Sequence, residues 1–179
     1  PEGYGYWEYG TSFQIMLISA LESAFGSDLG LMDGQEGFYN SSKFMSMMPT
    51  PSRRVFSYFD GGRNQIFQSM QAWMASRTGE PSVLYPEIAF HDKEGFKMGD
   101  TDRLFPMFLI AYSGIDPDSV VRPSYNFFSC SGREPLFIYR SGWEGTGDSY
   151  LGVKGGCPSD SHGHIDTGSF VFESDGVCW

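Results

Sequence analysis

Residues 136–154 read LFIYRSGWEGTGDSYLGVK, in which two short apolar and aromatic runs flank a turn rich in glycine. Runs of this length and content, bounded by Gly, Pro and Asp, are typical of antiparallel strands joined by tight turns. The sequence predicts four strands in this part of the chain, at Tyr125–Ser129, Leu136–Ser141, Tyr150–Lys154 and Gly168–Glu173.

The pattern before Gly114 predicts helices instead of strands. Residues 1–10 are expected to form a loop of Gly and aromatic residues, after which Thr11 or Ser12 caps an apolar helix that ends near Gly26. Further helices are predicted at Lys43–Met48, from Asn64 to before Gly79, at Ser82–Phe90 and at Arg103–Tyr112, with an extended segment at Val55–Phe59. Helices followed by strands favour an α+β protein of more than one domain.

We therefore predict a helical domain over residues 1–115 and a linker with the first β segment over 116–135. Residues 136–179 would start an antiparallel β domain.

Charge and composition limit the partners. Acidic residues outnumber basic ones by 22 to 12, and the net charge is −10. Nucleic-acid binding needs a basic footprint, which is absent from the sequence, so a nucleic acid is not expected as a partner. An acidic polymer can still bind where a few Arg and Lys side chains converge. Aromatic residues make up 17% of the chain, which suits a dense core or platforms that stack on sugar rings.

The cysteines and the apolar runs indicate which metal, disulfide and membrane features the chain is expected to lack. The chain has three cysteines, Cys130, Cys157 and Cys178. Their spacing is not the CxxC of metal sites, and their number is odd, so buried free thiols are expected instead of a disulfide framework. Apolar stretches such as Phe105–Tyr112 are too short to cross a bilayer, and no membrane span is predicted. The chain starts at Pro1 and stops in an apolar run, so we interpret both ends as cuts in a longer protein.

The stretch Ser161-His-Gly-His-Ile-Asp166 is the first candidate site. In an extended chain His162 and His164 face the same way, roughly 6.6 Å apart, so one imidazole could bind a metal while the other meets a substrate. Asp166 has the same parity and could orient a histidine. An exposed polar loop between strands is the alternative, and the pattern alone leaves both open.

The Gly-rich aromatic segment is the second candidate. It carries Tyr4, Tyr6, Trp7 and Tyr9 among glycines, and glycine permits a close approach of the backbone to a ligand. A Tyr phenol can donate a proton, or act as a base where cations stabilise its phenolate. The alternative is a loop that packs aromatic rings onto a helical core.

Four motifs in order resemble the heparinase II/III-like polysaccharide lyases. They are Pro1-Glu-Gly-Tyr-Gly-Tyr-Trp-Glu-Tyr-Gly-Thr-Ser12, Arg140-Ser-Gly-Trp143, Tyr150-Leu-Gly-Val-Lys-Gly-Gly156 and Ser161-His-Gly-His-Ile-Asp-Thr-Gly-Ser-Phe170. The resemblance implies the C-terminal part of an (α/α) toroid followed by the first strands of an antiparallel β-sandwich. It also implies β-elimination in an acidic polysaccharide similar to heparin or heparan sulfate, or in a related glycosaminoglycan.

The resemblance also implies residue roles. Tyr6 would transfer the proton, with Tyr9 as the fallback, and His162 would assist at the substrate. Tyr9, Trp7 and Arg140 would contact the polysaccharide. His164 would ligate a structural zinc ion, whose other ligands are expected beyond Trp179, and an Asn-His pair is expected before Pro1. The chain by itself is therefore expected to be inactive.

Several further expectations follow from the resemblance. The parent protein would be a periplasmic or secreted bacterial enzyme, with a homodimer as a possible assembly. Alternatives are an alginate or oligoalginate lyase, a non-catalytic carbohydrate-binding protein on the same scaffold, and a zinc-dependent hydrolase, which would need more ligands than HxHxD supplies. Glu8 stands where some alginate-cleaving relatives carry Arg, which disfavours alginate as the substrate.

Overall fold

The computed structural model describes residues 3–94, 103–159 and 163–179, without the side chains of 90–94. The helices are α1 Tyr4–Phe25, α2 Glu36–Met47, α3 Gln71–Thr78, α4 Tyr85–Glu94 and α5 Phe105–Tyr112, with short 3₁₀ turns at Pro81–Leu84 and Pro117–Ser119. The strands are β1 Phe127–Cys130, β2 Leu136–Arg140, β3 Tyr150–Lys154, β4 Phe170–Ser174 and β5 Val177–Cys178. The predicted mixed α+β class is confirmed, whereas the toroid and the sandwich stay predictions.

The strands form one antiparallel sheet in the order β1-β2-β3-β4-β5. Strand β3 has the predicted bounds, and β1, β2 and β4 lie within two residues of theirs. Alternate side chains of β2 and β3 are buried, as the period of two along a strand requires. The sheet therefore has a buried inner face and a more exposed outer face.

The predicted loop at residues 1–10 is wrong, because α1 already begins at Tyr4. The chain turns at Gly3, whose φ of 107° suits glycine, and Gly5 and Gly10 lie inside the helix. Ser12 is not a cap; its hydroxyl donates to the carbonyl of Tyr9 in the preceding turn. The aromatic residues of this segment therefore lie on a helix.

The starts of the other helices also differ from the prediction, and those of α4 and α5 are three and two residues late. Helix α2 begins at Glu36 instead of Lys43, but it ends before Pro49 as expected. Helix α3 begins at Gln71, and Asn64 does not cap it. Asn64 instead pairs with Arg54 in an isolated antiparallel bridge, so the segment between them forms a loop. The left-handed Gly79 ends α3, as expected.

The chain divides into two compact units, each built from separate stretches of sequence. The sheet unit comprises Pro1–Tyr6, Lys43–Ile66 and Arg122–Trp179, and the helical unit comprises Trp7–Ser42 and Phe67–Val121. The domain boundaries at 115 and 136 stay predictions. None of the helices in the described ranges combines the length and the apolar character that crossing a bilayer requires.

The helical unit has an aromatic core. Phe105 stacks on Phe108, which stacks on Tyr112, and Phe67 meets Phe108 edge to face with ring centroids 4.8 Å apart. The core also includes Ala72, Ala75, Val83 and Leu84. Aromatic pairs in these geometries add to the stabilisation that burial provides.

The inner face of the sheet is buried within the sheet unit. The Phe56 ring lies over Gly152 in the middle of β3, where an added Cβ would come 2.8 Å from the ring. Glycine in the strand therefore makes room for the aromatic ring. The outer face carries the more exposed Phe127, Phe137 and Phe170.

The three cysteines are free, as expected, but none of them is buried. Cys130 and Cys178 are exposed, and Cys157 is partly exposed. The expectation of buried thiols is therefore wrong. The reason is that Cys130 and Cys178 lie on the two edge strands of the sheet.

Candidate functional site

The loop Tyr58–Gly61 in the sheet unit brings parts of the two candidate motifs to one place. The backbone of Gly3 lies against it, since a Cβ added there would come 3.4 Å from the Tyr58 carbonyl oxygen and 3.5 Å from the Gly61 Cα. His164 contacts the same loop through Phe59 and Asp60. The loop therefore contacts two segments that lie about 160 residues apart in the sequence.

His164 is accessible to solvent and lies between an aromatic ring and a carboxylate. Its Nε2 is 3.4 Å from the Asp60 Oδ1, and the two side chains are 42% and 58% exposed. The Phe59 ring meets the imidazole edge to face, with centroids 5.5 Å apart. Asp60 can therefore orient the ring.

A buried lysine lies beside this histidine. The side chain of Lys154, at the end of β3, is only 1% exposed. Its Nζ lies 2.8 Å from the Asp166 Oδ1 and 3.4 Å from the Glu134 Oε2. It also lies 4.3 Å from the centroid of the Phe59 ring and donates to the Gly155 carbonyl. Asp166 therefore pairs with a lysine, and no contact between it and His164 is among those of the described residues.

Arg140, a predicted substrate contact, is a packed side chain on the inner face of the sheet. Its guanidinium lies 3.6 Å from the centroid of the Trp143 ring, and its Nε donates to the Gly142 carbonyl. Its Nη1 lies 3.4 Å from the Pro49 carbonyl, to which it donates. The surface that this buried side chain offers to a polysaccharide is small.

Arg140 belongs to a cross-strand row with Tyr150 and Glu173. The Tyr150 hydroxyl donates to the Met48 carbonyl, and Glu173 accepts hydrogen bonds from the amide and the hydroxyl of Ser52. Burial raises the pKa of Tyr150 well above its ordinary range, Arg140 opposes the rise, and Glu173 adds to it. The row therefore holds a neutral phenol and fixes residues 48–52 on the sheet.

The aromatic residues of α1 differ in their accessibility. Tyr6 is 48% exposed and Tyr9 is 62% exposed, so both phenols can reach a ligand. Trp7 is only 4% exposed, and its indole N–H donates to the Ser41 hydroxyl. Trp7 thus has little ring surface available for the predicted contact with the polysaccharide.

Two arginines that the sequence reading missed flank the loop that contacts His164. Arg54 and Arg63 are both exposed, and they lie on paired segments, since Arg54 bridges to Asn64 and the Val55 amide donates to the Arg63 carbonyl. Arg53 precedes them, and Asp60 is the acidic residue between them in the sequence. The excess of arginine over carboxylate in residues 53–63 was a signal that could have identified this patch.

Two predicted roles concern the histidine pair. His162 lies outside the described residues. Within the described ranges, no group of three or more His, Cys, Asp or Glu side chains could hold a metal ion. The described residues therefore do not fit a zinc centre by themselves, and the zinc role of His164 stays a prediction.

A scan of the chain against models of protein families and a search of curated proteins both found no match.

Proposed function

We propose that the protein is a lyase that cleaves a uronic-acid polysaccharide, such as heparan sulfate or a related glycosaminoglycan, by β-elimination. The main support is the Tyr58–Gly61 loop, which contacts Gly3 of the aromatic motif and His164 of the HxH motif. Motifs that are far apart in sequence and meet at one loop can share one substrate. An exported bacterial enzyme would meet such a polymer outside the cytoplasm.

Tyr6 is the proposed proton-transfer residue. β-Elimination removes the proton from C5 of the uronate, and the bond from C4 to the glycosidic oxygen breaks, so the leaving oxygen needs a proton. Tyr6 is 48% exposed near the start of α1, where its hydroxyl can reach a bound sugar. A positioned phenol can serve as the acid, and as the base in its ionised form. His162 is proposed to assist at the same sugar.

The intermediate of this reaction is an anion that the uronate carboxylate stabilises, so cations near the carboxylate would lower the barrier. Arg54 and Arg63 lie exposed on the paired segments that flank the 58–61 loop. Arginine binds carboxylate and sulfate through two parallel hydrogen bonds. A local cationic patch of this kind allows a protein with a net charge of −10 to bind an acidic polymer.

A second candidate function is carbohydrate binding without catalysis. The exposed rings of Tyr6 and Tyr9 favour it, because an aromatic face packs well on the apolar face of a sugar. The two candidates differ in their products, since a binding protein leaves the polymer intact.

The test is an assay of the protein from its full reading frame on heparan sulfate, on other uronate polymers and on a neutral glucan. Elimination forms an unsaturated uronate that absorbs in the ultraviolet, so absorbance and new reducing ends should rise together on the uronate polymers alone. New reducing ends without absorbance would indicate a hydrolase. An unchanged polymer that is nevertheless retained by the protein would indicate a binding function. Either of these results would overturn the proposal.

A further inference from the structure

Lys154 joins three separate segments of the sheet unit. Asp166 belongs to the loop between β3 and β4, Glu134 to the turn before β2, and Phe59 to the 58–61 loop. The ammonium group is in contact with all three, and the side chain is 1% exposed. The lysine is therefore placed to fix the positions of these segments relative to one another.

The carboxylates that surround this ammonium are what allow it to be buried. Removing a charged amine from water is costly unless opposite charges and hydrogen bonds replace the water. Asp166 at 2.8 Å, Glu134 at 3.4 Å and the Gly155 carbonyl at 3.1 Å supply them. Glu134 also accepts a hydrogen bond from the Cys157 amide, which ties the start of the β3–β4 loop to the same cluster.

Two of these segments involve His164, since the loop between β3 and β4 contains it and the 58–61 loop contacts it. Asp166 follows it by two residues, and the backbone at that end of the loop is held to Lys154 by hydrogen bonds from the Gly168 amide and to the Ser169 carbonyl. The centroid of the Phe59 ring lies 4.3 Å from the ammonium nitrogen and 5.5 Å from the centroid of the imidazole. Lys154 and the His164 ring thus share the Phe59 ring as a neighbour, and Lys154 also holds Asp166 in the segment that carries His164.

We propose that Lys154 is a positioning residue that fixes the His164 ring through Asp166 and Phe59. The effect of this positioning on catalysis rests on the lyase function proposed above. His164 follows the proposed assisting group His162 by two residues, so a displacement of about 1 Å that is passed on to that group can cost roughly 100-fold in rate.

Lys154→Met is the primary variant, because it removes the charge and keeps most of the side-chain volume. Asp166 is 30% exposed, so water can solvate its carboxylate. The Glu134 Oε2 is buried, but Glu134 keeps the hydrogen bond that its Oε1 accepts from the Cys157 amide, so folding should survive. Lys43→Met is the control, since Lys43 is partly exposed in the same unit and lies outside the cluster. Glu134→Gln removes only the longer ion pair and should give a smaller effect in the same direction.

The readout is the imidazole NMR spectrum of the chain, in which His164→Gln assigns one of three histidine signals. Lys154→Met should shift the His164 ring resonances while far-UV circular dichroism stays unchanged, and Lys43→Met should shift nothing. An unshifted His164 in folded Lys154→Met would overturn the positioning role. If that variant does not fold, an unshifted His164 in Glu134→Gln would do the same.

The kinetic arm uses the protein from its full reading frame. Lys154→Met should lower kcat roughly 10- to 100-fold and leave KM within about threefold of the original protein, because alignment is lost and substrate contacts are kept. An unchanged kcat would contradict the catalytic consequence. If the original protein has no lyase activity, the proposed function is wrong. The NMR result then still decides whether Lys154 positions the His164 ring.

Discussion

The two ends of the inner face of the sheet bury charged side chains in different ways. At one end, Arg140, Tyr150 and Glu173 form a row that is almost fully buried and bonded to the backbone of residues 48–52. At the other end, buried Lys154 pairs with carboxylates that are themselves partly exposed. The first end is closed to water, whereas the second includes Asp166, which is 30% exposed and follows the exposed His164 by two residues.

The difference shows what a buried charge does in each place. In the closed row, the three side chains form hydrogen bonds with the backbone of residues 48–52, so the row fixes the position of that backbone. At the open end, the charge holds side chains next to an accessible imidazole. The open end is therefore the better candidate for a functional site, because its ionic groups lie next to an accessible side chain.

The largest expected effect on stability lies in the closed row. Glu173→Ala removes two hydrogen bonds from Ser52 to a buried carboxylate and should lower the free energy of unfolding by about 3 kcal/mol. Lys154→Met should cost less, about 1–2 kcal/mol, because water can reach Asp166 and the Cys157 amide still bonds Glu134. Urea unfolding at neutral pH measures both.

The control for this pair of variants is Glu144→Ala. Glu144 forms an ion pair with Arg122 on the surface, and both side chains are more than half exposed. Its loss should cost less than about 1 kcal/mol. Equal costs for Glu173→Ala and Lys154→Met would show that the two ends do not differ as described.

Alkaline pH should act on the closed row. Burial raises the pKa of Tyr150 above that of an unfolded tyrosine, which is about 10, and burial also raises that of Tyr58. Above pH 10 the unfolded chain loses these protons while the folded chain keeps them, so the free energy of unfolding falls. The slope is at most about 1.4 kcal/mol per pH unit for each tyrosine, and the stability is fully present below pH 10.

Urea midpoints between about pH 9 and pH 11 test this expectation. Tyr150→Phe should flatten the decline, whereas Tyr139→Phe, at a more exposed position on the outer face, should leave it unchanged. A decline of the same slope in Tyr150→Phe would mean that this phenol does not control alkaline stability.

The sequence predicted the sheet better than the helix starts. Strands β2 and β3 follow from alternating apolar residues between Gly-rich turns, and that pattern is local. The start of α1 could not be read in the same way, because Gly5 and Gly10 look like loop residues and yet lie inside a helix. Packing of Tyr4 and Trp7, both buried, overrides the low helix propensity of glycine.

The candidate site was predictable only in part. The motifs identified Tyr6 and His164, which are both accessible to solvent, and the roles of both residues stay predictions. Lys154 sits in a strand pattern that gives no sign of burial, and its partners Glu134 and Asp166 are 20 residues before it and 12 after it. Long-range pairing of this kind is set by the register of the sheet and not by local sequence.

The most direct test of the proposed chemistry is the turnover of Tyr6→Phe in the protein from its full reading frame. The change removes only the hydroxyl of a side chain that is 48% exposed, so the fold should be kept. With Tyr139→Phe as the matched control, formation of unsaturated product should fall roughly 100-fold or more in Tyr6→Phe alone, the scale of a lost acid–base group. Near-normal turnover in Tyr6→Phe, or an equal loss in both variants, would contradict the assignment of Tyr6 as the proton-transfer residue.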